Sequence, residues 1–68
     1  MIRFVMLTHR SGEPIWLNPA QVISVAPVFD ERYGDKAVIG SAVTTNRGTV
    51  RCEEHAADVV SKLERGLI

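Results

Sequence analysis

Cysteine occurs once in this 68-residue chain, so no disulfide can staple it from within, and no complete set of zinc ligands offers itself. Charge of one sign is also missing. Eight basic and eight acidic side chains give a formal charge of zero, which argues against a dedicated nucleic-acid binder but leaves room for one basic face. Lysine is scarce, two residues against six arginines, and arginine favours planar, bidentate contacts to carboxylate or phosphate. No apolar run approaches the 18 or more residues of a membrane span. The opening Met1-Ile2-Arg3-Phe4-Val5 segment lacks the order of a secretory signal, so a cytoplasmic, reducing location is expected. Glycine-rich phosphate loops are absent too: Gly12, Gly34, Gly40, Gly48 and Gly66 stand alone.

What is present is a globular mixture with 46% apolar residues, which excludes a disordered chain. A single domain covers residues 1–68. Chains this short bury only about 60% of the surface they expose when unfolded, so further stabilisation is expected from outside the fold. With disulfides and metals removed, self-association into a homo-oligomer is the common remaining route.

Valine and isoleucine occur in short runs separated by Gly, Pro, Asn and Asp, which is the pattern of short strands. Five are expected. Ile2–Thr8 is the first, with Ile2, Phe4 and Met6 on one face and Arg3, Val5 and Leu7 on the other. His9–Gly12 is a hairpin loop and Glu13–Leu17 the returning strand, with Pro14 confining its start to an edge. Asn18 before Pro19 starts one short helical turn. Val22–Val28 is the third strand, in which Val22, Ser24, Ala26 and Val28 alternate against Ile23 and Val25. Phe29–Asp35 is a charged loop turning at Tyr33-Gly34-Asp35. Ala37–Thr45 is the fourth strand, whose Gly40 marks a bulge or a close backbone approach. Asn46-Arg47-Gly48 turns the chain into Thr49–Cys52, the fifth strand.

Beyond Cys52 the apolar period changes from two to about 3.6. Ala56, Val59, Val60 and Leu63 form one stripe, opposite Asp58, Ser61, Lys62 and Glu64. This predicts an amphipathic helix over about 53–65, with Glu53 and Glu54 at its positive end, Lys62 and Arg65 at its negative end, and Gly66 as C-cap. The fold class is therefore mainly β with α: about five short antiparallel strands, as a sheet or partly open barrel, and one C-terminal helix.

Catalytic constellations are the easiest to reject. Cys52 and His55 stand in a Cys-x-x-His spacing, but two ligands do not make a metal site, and Cys52 is expected to pack beneath the helix. Serines 11, 24, 41 and 61 have no Gly-x-Ser-x-Gly elbow around them. No enzyme activity, metal or cofactor is expected. For anions the leading candidate is the Thr44–Thr49 hairpin, where Thr45, Asn46 and Arg47 bring a hydroxyl, turn amides and a guanidinium together. The plain alternative is that threonines flank turns because they suit exposed strand ends. Arg3, Arg10 and Arg51 would line up as a positive patch if the first and fifth strands were neighbours. Phe4 and Trp16 are either core residues under the helix or anchors of a subunit interface. Ile23 and Val25 join them as interface candidates, because one helix covers only one face of such a sheet.

Leu7-Thr8, Gly12, Trp16-Leu17-Asn18-Pro19, Val22-Ile23 and Val25, a Thr-rich strand, Gly48, Val50, Glu54 and the Val59-Val60-x-x-Leu63 helix resemble the FlbD family of short flagellar and swarming-motility proteins. That resemblance spans most of the chain and implies a small bacterial regulatory protein. Small phage-encoded β-hairpin proteins share the same outline. A second stretch, Met6-Leu7-Thr8-His9-Arg10-Ser11-Gly12-Glu13-Pro14-Ile15 with Val38-Ile39-Gly40 and a terminal helix, is similar to the carbon storage regulators. These are dimeric RNA-binding proteins, and this likeness implies RNA contacts at Arg10 and Arg51. The sequence thus points to a non-catalytic, homo-oligomeric binding or regulatory module. The alternatives are an RNA-binding regulator and an oligomer that sequesters a small anionic ligand such as a nucleotide. A further protein partner is compatible with any of the three.

Overall fold

The computed structural model describes residues 3–30 and 37–66. Its elements follow in the order β1 (Val5–Thr8), β2 (Pro14–Leu17), a 3₁₀ turn (Pro19–Gln21), β3 (Val22–Asp30), β4 (Ala37–Thr45), β5 (Gly48–Cys52) and α1 (Ala56–Gly66). The architecture is mainly β, with five strands in two antiparallel sheets, β1-β2 and β3-β4-β5, and one C-terminal helix. Ile2 and the expected Tyr33-Gly34-Asp35 turn lie outside the described residues.

Two hairpins build the sheets. In the first, β1 and β2 pair with Met6 opposite Trp16 and Leu7 opposite Ile15. Gly12 takes a left-handed φ of 93° in their connection, a conformation that side chains beyond Cα disfavour. The second hairpin turns at Gly48, φ 130°, and sets Val43 opposite Val50. Pro14, which the sequence confines to an edge, sits on β2, and Pro27 lies on β3, each strand having a hydrogen-bonded neighbour on one side only.

The two sheets are joined where β1 ends and β5 ends. His9 bridges Cys52 in antiparallel fashion, the Arg10 N–H donates to the Arg51 carbonyl at 3.0 Å, and the Glu53 N–H donates to the Thr8 carbonyl at 2.8 Å. Strands one and five are thus neighbours at this end, and the spatial order runs β2-β1-β5-β4-β3.

The core lies between these sheets and the helix. Leu7, Val43 and Val59 are fully buried, with Val5, Cys52 and Leu63 around them, and each fully buried Val or Leu contributes about 1.5–3 kcal/mol by leaving water. Cys52 packs in this cluster, as the sequence suggests.

Several local expectations need correction. Strand β1 starts at Val5, because the Arg3 N–H is bonded to the Gly66 carbonyl at 2.9 Å instead of to a strand. Strand β3 runs on to Asp30, absorbing Phe29 and Asp30 from the expected loop, since both pair with β4. Helix α1 starts at Ala56 and not near 53. Glu53 is still bonded to Thr8 across the junction, so the chain bends through Glu53 and Glu54 before His55, whose carbonyl accepts the N–H of Val59 at 3.0 Å. Val60, placed by periodicity on the buried stripe, is 41% exposed.

Gly66 lacks the positive φ of a left-handed cap. A Cβ there would stand 2.6 Å from Val5 Cγ2 and 3.1 Å from the Arg3 carbonyl oxygen, so this glycine lets the helix end close against β1. Gly40 fulfils the close-approach expectation: its Cβ would run into the carbonyl oxygen of Cys52.

Two register shifts matter for function. Val22 pairs with Thr45 and Ser24 with Thr44, leaving Ile23 as the extra residue; Val28 pairs with Gly40 and Phe29 with Val38, leaving Ile39 extra. These β-bulges turn both isoleucines outward, to 69% and 54% exposure. The first also moves Val25 to the inner side, where it packs against the core. Val25 thus faces the core instead of sharing the outward side with Ile23.

Candidate functional site

The β1–β5 junction sets Arg10 and Arg51 side by side. Both are exposed, and among the described residues neither guanidinium has a hydrogen-bonding or ion-pairing partner. Like charges directly across an antiparallel pair are destabilising, so the arrangement has no evident structural purpose.

Both arginines line two clefts. One, of 280 Å³, is bounded by Val28, Ile39, Gly40 and Glu53. The other, of 580 Å³, lies between β5 and the first hairpin. Its apolar lining comes from Ile15, Leu17 and Val50, which are half-buried against the core. Trp16, Thr49 and His9 complete its walls. His9 is oriented by its own turn: Nδ1 accepts the Ser11 N–H at 3.2 Å and lies 2.9 Å from the Ser11 hydroxyl.

Arg3 does not join this pair. It lies at the other end of β1, sharing a 400 Å³ cleft with Phe4, Lys62 and Arg65. The basic character there is partly neutralised, because Lys62 Nζ is 3.7 Å from Glu54, while Arg65 Nε is engaged by the Ser61 carbonyl at 3.3 Å. The i, i+3 spacing of Lys62 and Arg65 was visible in the sequence, but its meeting with Arg3 depends on the helix C-terminus docking beside β1.

The Thr44–Thr49 hairpin uses its polar groups internally. Thr45 Oγ1 accepts the Arg47 N–H at 3.2 Å and donates to the Gly48 carbonyl at 3.2 Å, while the Thr44 and Thr49 hydroxyls pair at 3.1 Å. Asn46 and Arg47 project into solvent. The Thr45 hydroxyl is thus engaged in shaping the turn, and the plain structural explanation accounts for the threonines.

Phe4 and Trp16 are 72% and 61% exposed and Met6 is 49% exposed, so neither aromatic ring belongs to the core. Met6 stands directly opposite Trp16, and the three residues leave the outer side of the first hairpin apolar.

Cys52 is 3% exposed. Burial pushes its thiol up, and the Glu54 carboxylate pushes it further, opposite to what a nucleophile or metal ligand requires. His55 is exposed, and among the described residues no three of His, Cys, Asp and Glu converge as a metal site. No helix among them is long and apolar enough to cross a membrane.

Glu54 has a structural task. Its two carboxylate oxygens share the Thr8 N–H at 2.9 and 3.0 Å, clamping β1 to the entry of α1. Burial alone would raise its pKa, but the Thr8 hydrogen bonds and the Lys62 ammonium outweigh it and hold the group below the ordinary glutamate value. A lowered folded-state pKa gives stability that is fully present above the unfolded value and is lost as pH falls through the folded one. Acid denaturation should therefore soften in Glu54→Gln. That variant should lose about 1–2 kcal/mol at neutral pH and differ little from the wild type in strong acid, as urea titrations across the carboxylate range will read.

Compared with known proteins, the chain matches no family model, and no curated protein or solved structure is detectably similar to it.

Proposed function

We propose that this protein is a small non-catalytic binding and regulatory module that works as a homo-oligomer. The observation that carries this is the bare apolar side of the first hairpin, Phe4, Met6 and Trp16, on a chain too small to cover it. Ile23, turned outward by its bulge, is the further interface residue. The resemblance to the FlbD family supports a regulatory role in motility; a bacterial or phage setting and a cytoplasmic location complete the proposal.

Light scattering tests the oligomer. At micromolar concentration the wild type is expected at a multiple of its 7.5 kDa chain mass, and Phe4→Glu with Met6→Glu at 7.5 kDa with unchanged circular dichroism. A wild-type monomer would sink the proposal.

A second function is favoured by a separate observation, the unpartnered Arg10–Arg51 pair between two clefts: capture of a small anionic ligand. The zero net charge supports a compact anion over a long polyanion such as RNA, whose binding scales with the number of phosphates neutralised.

A further inference from the structure

We propose that the cleft between β5 and the first hairpin binds a free nucleoside phosphate, its phosphate held by Arg10 and Arg51 and its base laid against Trp16. This rests on the anion-capture function and names the ligand class.

Three features of the cleft converge on that chemistry. The first is the charge. Two arginines that are backbone neighbours and line one cleft bring two positive charges to it, which the single charge of a carboxylate does not balance. A terminal phosphate has three free oxygens and a double charge, so it can accept from both forks at once. It would also relieve the repulsion between the two arginines, neither of which forms an ion pair among the described residues, although Glu53 lines the adjoining cleft.

The second is the ring. Trp16 is 61% exposed and lines the same cleft as the arginines. A planar indole open to solvent is a stacking surface for any base and is tolerant of base identity.

The third is the space. At 580 Å³ the cleft lies within the roughly 300–1,000 Å³ of small-molecule sites. Half-buried Ile15 and Leu17 supply the apolar contact that inorganic phosphate cannot use. The Arg3, Lys62 and Arg65 cleft lacks this combination, because two of its cations already have partners.

Trp16 is the sole tryptophan and belongs to both this cleft and the proposed self-association surface, so its fluorescence is read at fixed protein concentration with the oligomeric state followed alongside. Titration with adenosine monophosphate is expected to quench it saturably, with adenosine and inorganic phosphate each weaker by about tenfold or more. Arg10→Ala and Arg51→Ala should each weaken the monophosphate by about tenfold or more while circular dichroism stays unchanged. Arg51→Lys, which keeps the charge and loses the fork, should fall between. No saturable quenching by the monophosphate, or quenching that survives the double arginine variant, overturns the proposal. Inorganic phosphate binding as tightly as the monophosphate would overturn the nucleotide assignment and leave anion capture standing. Binding of single-stranded RNA without binding of the monophosphate would overturn it in favour of RNA. Light scattering on the same samples keeps the oligomer separate, since the arginine variants leave Phe4 and Met6 in place.

Discussion

Gly40→Val is expected to abolish the folded state at room temperature. The Cβ of any residue at this position collides with the carbonyl oxygen of Cys52, and that oxygen belongs to backbone fixed on both sides. Cys52 pairs with Ser41 of β4 and bridges His9 at the end of β1. A side chain cannot be accommodated by a rotamer change here; the junction itself must open. A chain of 68 residues holds about 3–10 kcal/mol of folding free energy, and a backbone clash at a strand junction costs about 3 kcal/mol or more. Gly48→Ala provides the contrast. Gly48 has φ 130° but open space around its Cα, so only local strain of about 1 kcal/mol is at stake. Urea melts should rank Gly40→Ala well below Gly48→Ala, and equal losses would mean that the approach of Gly40 to Cys52 does not hold the fold together.

Leu7→Ala is expected to destabilise by about 2–5 kcal/mol, the range for emptying a fully packed core site. Leu7 is entirely buried among Val43, Val59 and Leu63. Its neighbour Met6 is 49% exposed on the opposite side of β1, and Met6→Ala should move stability by no more than about 0.5 kcal/mol. The comparison checks the register directly, since a one-residue slip of β1 would exchange the two results. Thermal melts should be run at dilutions where both variants are monomeric, because Met6 also belongs to the proposed interface.

The parts of this fold that local chemistry dictates were legible in the sequence. Asn18 caps the 3₁₀ turn through its side chain, which accepts the Ala20 N–H at 2.9 Å. Strand β4 has the bounds its apolar run predicts, and α1 buries Val59 and Leu63. Illegible were the features decided by a distant strand. Nothing near Ile23 announces that two β3 residues will face one on β4, and that shift sends Ile23 outward and Val25 inward. The helix start is similar: Glu53 and Glu54 suit a first helical turn, yet the partner that claims both is Thr8, 45 and 46 positions earlier. The site lies between these cases. Arg10 and Arg51 were grouped on the condition that strands one and five meet, and they do. Arg3, grouped with them on the same condition, sits where β1 begins, far from the junction. Trp16 as a wall of the arginine cleft could not be foreseen, since it depends on how the first hairpin leans over β5.

The bulges at Ile23 and Ile39 have a bearing on how this protein associates. Strand β3 is an edge nine residues long, rich in valine and with few charges, the kind of template on which sheets grow without limit. Ile23 interrupts its ladder near one end, the register shift at Ile39 interrupts it near the other, and Pro27 removes a donor between them. An incoming strand finds no uninterrupted row of amides to copy. In the proposed homo-oligomer this would steer contacts away from edge-to-edge pairing and towards side-chain packing on the first hairpin, where an assembly can close on itself instead of lengthening into a fibre.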